Sequence, residues 1–121
     1  PKSVKVTIQL LKWWRDQQSW TEDIFRPTNE MLELMAVYSA VQTKPANQRT
    51  AIANVMALLC QFSDLRIVWS NYYSKDDVWA PLLRQRPLLM DPTNPFVNVA
   101  DAQSFDSTEL MSFASSTHFF W

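Results

Sequence analysis

The sequence predicts a mainly α fold, a compact helical bundle of about five helices with short extended segments and Pro-rich turns. Three observations carry that expectation. Apolar residues recur at helical spacing in successive stretches of the chain. Polar capping residues stand ahead of several of those stretches. Prolines at 27, 45, 81, 87, 92 and 95 fall between or at the ends of them, where a helix cannot continue. The 121 residues suit one domain, 1–121, with a single core, and 47% hydrophobic against 19% charged residues is the balance of a folded globular chain.

The first helix is expected from Pro1 to Gln17. Val4, Val6, Ile8, Leu10, Leu11, Trp13 and Trp14 spread round most of its circumference, which places it near the middle of the bundle. Its one polar strip is Lys2, Lys5, Gln9, Lys12 and Asp16, at steps of three and four. Thr28 or Asn29 caps a second helix whose inward stripe is Met31, Leu34, Met35, Tyr38 and Val41, broadened by Leu32. Glu33, between two leucines, needs a cationic partner if it is half-buried, and Arg15 and Lys12 are the candidates.

A third helix over 47–62 buries Ile52, Val55, Met56, Leu59 and Phe62. In 64–73 a short extended segment competes with continued helix. A short helix over 76–84, capped by Ser74 or Asp76, is kinked or ended near Pro81. The run from Arg86 to Pro95 reads as turns, with Asp91 and Asn94 fixing backbone before proline, and 96–105 reads as irregular. Asp106-Ser107-Thr108-Glu109 resembles a capping box opening a last helix with Leu110, Phe113 and Ala114 inward. Most Trp residues read as core, with Trp69 and Trp79 as alternatives for an interface, and His118 reads as solvent-exposed.

Composition also narrows the function classes. The chain has no glycine, which excludes phosphate-cradling loops of the P-loop or dinucleotide-binding kind. One histidine and one cysteine, His118 and Cys60, leave no zinc pattern and no disulfide framework, and suit an intracellular setting, cytoplasmic or nuclear. A net charge of −1 gives no overall basic field, so any RNA contact is a local patch. No apolar run approaches the roughly 20 residues of a membrane span. The chain opens at Pro1 without Met, as a piece of a longer protein would. No catalytic residue and no metal ligand is expected within it.

Four segments in order carry a family resemblance: Leu11-Lys12-Trp13-Trp14, Met31 through Tyr38, Ile67 through Tyr73, and Arg86 through Pro92. They are similar to the motifs LVKHWY, ALELLTVYA, IYWTKYY and RPVILDPADP of the C-terminal helical domain of 2′-5′-oligoadenylate synthetases, over almost the whole chain. The resemblance implies one lobe of a two-lobe nucleotidyltransferase, with the catalytic N-terminal lobe, its Gly-Ser motif and its metal-binding aspartates absent from these residues. It implies Mg²⁺ and ATP for an intact parent, and double-stranded RNA as a partner across both lobes. Residue by residue, it implies a phosphate contact for Lys12. Gln9 stands where the family has an arginine, and Asn29 and Glu30 stand where it has Gln-Tyr, the tyrosine stacking on a base. The nucleotide-binding candidates are therefore Lys12, Gln9 and Asn29, and the RNA-binding candidates are Lys2, Ser3 and Lys5 at the start of the first helix. A lobe without its partner would also expose its former interface, through which two copies could dimerise.

Overall fold

The computed structural model describes residues 2–101 and 104–118; of Lys2, Lys75 and His118 it describes the backbone. Its helices are α1 (Lys2–Gln17), α2 (Asn29–Thr43), α3 (Gln48–Cys60), α4 (Ala80–Leu83) and α5 (Thr108–His118), with single 3₁₀ turns at Asp23–Phe25, Phe62–Asp64 and Lys75–Asp77. Strands β1 (Arg66–Ile67), β2 (Leu88–Asp91) and β3 (Asn94–Asn98) form a small sheet in that order, β1 parallel and β3 antiparallel to β2. The fold is mainly α, as the periodicity requires.

Helix α3 holds the centre. It packs against α5, α2 and α1 and buries Ile52, Val55, Met56 and Leu59, each almost completely. Asn47 caps it, accepting from the Thr50 N–H at 2.8 Å. Phe62, in the turn just beyond its end, is fully buried with its ring edge-on to Phe105. This stripe is the one the sequence marks.

Helix α1 is not central, contrary to its apolar breadth. It buries Thr7, Leu11, Trp14 and Arg15, spaced four, three and one residue apart, so a single face meets the bundle. Val4, Val6, Ile8 and Leu10 are only half-buried, and Trp13 is 60% exposed. The expected stripe of α2 shifts as well. Met31, Leu32, Met35, Ala36 and Ser39 are buried while Val41 is exposed, because the small Ala36 and Ser39 sit where α2 meets its neighbours. Thr28 is the cap, accepting from the Met31 N–H at 3.2 Å. Helix α2 ends on Lys44, whose φ of 45° is the left-handed C-cap conformation that glycine usually supplies.

The segment 64–73 resolves as extended at β1. Proline 81 starts rather than ends a helix: it lies in the first turn of α4, where a missing N–H costs nothing, and the expected 76–84 helix splits into a 3₁₀ turn and α4. Two further expectations fail in the 86–105 region. Leu88, Leu89 and Met90 are fully buried in β2, an unbroken apolar run characteristic of a strand covered on both faces. The 96–105 stretch is not wholly irregular, because β3 pairs back on β2 and tolerates Pro95 on the sheet edge. Asn98 secures this corner. Its Oδ1 accepts from the Leu89 and Ala100 N–H groups at 2.9 and 3.0 Å, and its Nδ2 donates to the Gln85 Oε1 and the Pro87 carbonyl at 2.9 and 3.0 Å.

Trp69 belongs to the core, its Nε1 donating to the Met90 carbonyl at 2.6 Å, whereas Trp79 is 61% exposed. At the last helix the expected capping box does not form: Asp106 makes an Asx-type turn two residues long just ahead of α5. The Asp106 carboxylate accepts from the Thr108 N–H at 2.9 Å, which holds its pKa below the usual value. Glu109 does not reach back; it accepts from the N–H and hydroxyl of Thr21, at 3.0 and 2.7 Å, and so ties α5 to the loop after α1. Leu110 and Ala114 are buried, and Phe113 packs edge-on against Trp20. The expectation for His118 concerns a side chain outside the described residues.

Candidate functional site on the seam between the first two helices

Helices α1 and α2 run antiparallel, as three contacts along them demonstrate. Ser3, Val4 and Thr7 meet Ala36 and Ala40 around a cavity of about 230 Å³. Midway, Lys12 meets Glu33. At the far end Arg15 meets Asn29. Of the residues that the sequence singles out, Ser3, Lys12, Glu33, Arg15 and Asn29 thus fall along one line.

Lys12 donates through Nζ to Glu33 Oε1 at 2.9 Å. Their side chains are 31% and 46% exposed. An ion pair this open contributes about 0–1 kcal/mol. It therefore orients the ammonium without locking it, and two of the three ammonium protons stay available. Of the two partners the sequence allowed for Glu33, the structure selects Lys12.

Arg15 takes another role. Its side chain is only 7% exposed, and its Nη1 donates to Asn29 Oδ1 at 2.5 Å and to the Pro27 carbonyl at 3.3 Å. Its Nε donates to Asp16 Oδ1 at 3.0 Å, and the same oxygen accepts from Arg26 Nη2 at 2.6 Å. Arg26 first, and Arg15 second, hold the Asp16 carboxyl below its ordinary pKa of 3.8. A carboxyl depressed in the folded state contributes stability above the ordinary carboxylate range, and that contribution is lost as pH falls through the folded value. Melting temperature is therefore expected to drop on acidification below about pH 4, and Asp16→Asn should lower the neutral-pH melting temperature while flattening part of that acid limb.

Together Arg15, Asp23, Arg26, Pro27, Thr28 and Asn29 line a cleft of about 370 Å³ beside the start of α2. Among the three nucleotide candidates, the structure brings Lys12 and Asn29 onto the same seam, Asn29 one turn before Lys12's partner Glu33 on α2. Gln9 is exposed on α1 three residues before Lys12, on the same polar strip as Lys5. Ser3 is exposed and its carbonyl accepts from the Thr7 hydroxyl at 3.0 Å; Lys2 begins α1 but its side chain lies outside the described residues. Sequence reasoning did not find Arg26 or the bridging role of Asp16. Its one usable signal was Arg15 itself, a cation four residues after Leu11 on the buried face. Among the described residues no three His, Cys, Asp or Glu side chains are grouped to hold a metal ion, and no helix is long and apolar enough to cross a membrane.

The family profile described as 2′-5′-oligoadenylate synthetase 1, domain 2, C-terminus, matches residues 1–118. The chain belongs to the 2′-5′-oligoadenylate synthetase family. It is similar to the 2′-5′-oligoadenylate synthase 2 of Rattus norvegicus, 33% identical over 116 residues, covering 87% of this chain and 16% of that protein. It is similar also to 2′-5′-oligoadenylate synthase 1A of Rattus norvegicus, 32% identical with 83% of this chain and 30% of that protein covered. A third relative, 32% identical over 82% of this chain and 31% of its own length, is the inactive 2′-5′ oligoadenylate synthetase 1C of Mus musculus. The chain thus spans less than a third of the length of these three synthetase-family relatives. No solved structure matches it.

Proposed function

We propose that this chain is the helical lobe of an oligoadenylate-synthetase-like nucleotidyltransferase, lining the nucleotide cleft and helping to bind activating double-stranded RNA. The observation that carries the reading is Lys12, which stands half-exposed on the α1–α2 seam in a weak ion pair, at the place where the resemblance implies a phosphate-contacting lysine. In this reading Asn29 and Gln9 flank the nucleotide, while Lys2, Ser3 and Lys5 meet RNA phosphates, which position a duplex without reading its sequence. The lobe catalyses nothing alone. ATP is the parent's substrate, and Mg²⁺ belongs with the N-terminal lobe that the resemblance implies. That lobe is the principal partner, and the uncovered Trp13 of α1 is a natural part of its contact; two isolated lobes could pair through the same face. The lone Cys60 suits an intracellular location.

A second reading, a degenerate family member working as an RNA-binding or protein-interaction scaffold, is favoured by one contact: the cation that would meet phosphate already has Glu33 as its partner. Pyrophosphate release by the longer protein, given Mg²⁺, ATP and double-stranded RNA, separates the two. The first reading expects turnover that Lys12→Ala lowers about tenfold, roughly 1.4 kcal/mol of transition-state stabilisation. No turnover, with salt-sensitive RNA binding retained, supports the scaffold.

A further inference from the structure

The sheet ends at β1, whose outer edge pairs with no other strand among the described residues. Along an extended strand the main-chain groups of alternate residues point to opposite edges. The Leu65 carbonyl accepts from the Leu88 N–H at 2.7 Å, so Leu65 and Ile67 face β2. Arg66 and Val68 therefore turn their N–H and C=O groups outward, and none of these four has a partner among the described residues. The side chains alternate too. Ile67 and Trp69 are buried, whereas Arg66, Val68 and Ser70 line a cleft of about 540 Å³ with Tyr73 and Ser74.

That cleft is lined by one cation and no carboxylate. The Arg66 and Ser70 side chains make no hydrogen bond or ion pair among the described residues. Asp64 lines a separate, smaller cleft on Arg66, and the Asp91 carboxylate, beyond Tyr73, is held by the N–H and hydroxyl of Thr93. We propose that the outer edge of β1 docks an extended acidic segment of a partner protein, which adds to the sheet as a further strand. Its backbone pairs with Arg66 and Val68, and an aspartate or glutamate on it meets the Arg66 guanidinium and the Ser70 hydroxyl. Only a strand supplies donors and acceptors in the alternation that this edge presents. The proposal does not depend on the nucleotide reading of Lys12.

A phage-displayed library of random heptapeptides is selected on the chain, and an enriched peptide is then titrated while backbone amide resonances are followed. The expected peptide carries Asp or Glu among β-branched or aromatic residues, and it slows solvent exchange of the Arg66 and Val68 amides. Arg66→Ala should weaken it about tenfold, as the loss of one charge-assisted contact does. Val68→Pro removes one outward N–H and leaves the bonds to β2, so it should weaken binding about tenfold at an unchanged melting temperature. Arg66 is exposed, so its variant decides the matter even if Val68→Pro unfolds. No enrichment, peptides without a carboxylate, or binding indifferent to Arg66→Ala overturns the proposal. So does full binding by a folded Val68→Pro, which marks a contact through charge alone. Failure of the peptide to bind the longer protein overturns it as well, since the edge is then already covered.

Discussion

Replacing Asn98 with alanine is expected to cost about 3–5 kcal/mol of folding stability. The amide makes four hydrogen bonds, three of them to main-chain groups inside the protein: the N–H of Leu89, the N–H of Ala100 and the carbonyl of Pro87. Alanine supplies none of these, and each orphaned buried group costs about 1–3 kcal/mol. Water has poor access, since Leu88, Leu89, Met90 and Ala100 around the site are fully buried. Asn98→Asp should be no remedy: it keeps the acceptor oxygens but loses both donors and buries a charge. Urea unfolding checks the claim through a lowered midpoint at unchanged slope. A loss below about 1 kcal/mol would mean that the β2–β3 corner rearranges to satisfy itself.

Phe62→Ala should cost about 3–5 kcal/mol by a different route, the lost transfer energy of the ring plus the cavity left behind. Phe62 has no exposed surface and its ring centroid stands 5.4 Å from that of Phe105 at 71°. It lies where α3 ends, so the void would open between the central helix and the segment leading into α5. Phe62→Leu, which nearly conserves volume, should cost less than about 1.5 kcal/mol. The comparison of the two variants in the same urea experiment distinguishes cavity formation from the loss of a ring–ring contact. A small domain has about 5–15 kcal/mol in total, so either alanine variant removes a large share of it.

The two sites differ in how visible they are in the sequence. Phe62 is the last member of the stripe Ile52, Val55, Met56, Leu59, and helical periodicity finds it directly. Asn98 has no such signal, because its partners are main-chain groups brought together only when β3 folds back on β2. The same cause hid the strands. Leu88, Leu89 and Met90 are an unbroken apolar run among prolines, and such a run carries no alternation to announce a strand. Helix α1 failed in the opposite way. Its periodicity marked more apolar surface than the bundle covers, and Trp13 shows that an apolar residue on a helix need not face that chain's own core.

At the candidate site, spacing put Lys12 on the polar strip of α1, the resemblance gave it a role, and Glu33's place between two leucines called for a cation, although the pair itself joins residues 21 apart in the chain. The Asp16–Arg26 bridge was illegible, since it depends on how the 18–28 connection turns back, which no local spacing encodes. The outcome is a site more crowded with charge than the sequence suggested. Each helix offers a residue that could meet a nucleotide, and the other helix holds it: Glu33 on Lys12, Arg15 on Asn29.

The central claim is that Lys12 faces nucleotide phosphate within the intact protein. A crystal structure of the longer protein with a non-hydrolysable ATP analogue and Mg²⁺ tests it most directly. The account predicts a phosphate oxygen about 3 Å from Lys12 Nζ, with the Glu33 carboxylate retained as the ammonium's second partner. A triphosphate bound well away from the α1–α2 seam, with Lys12 still held by Glu33 alone, would contradict it.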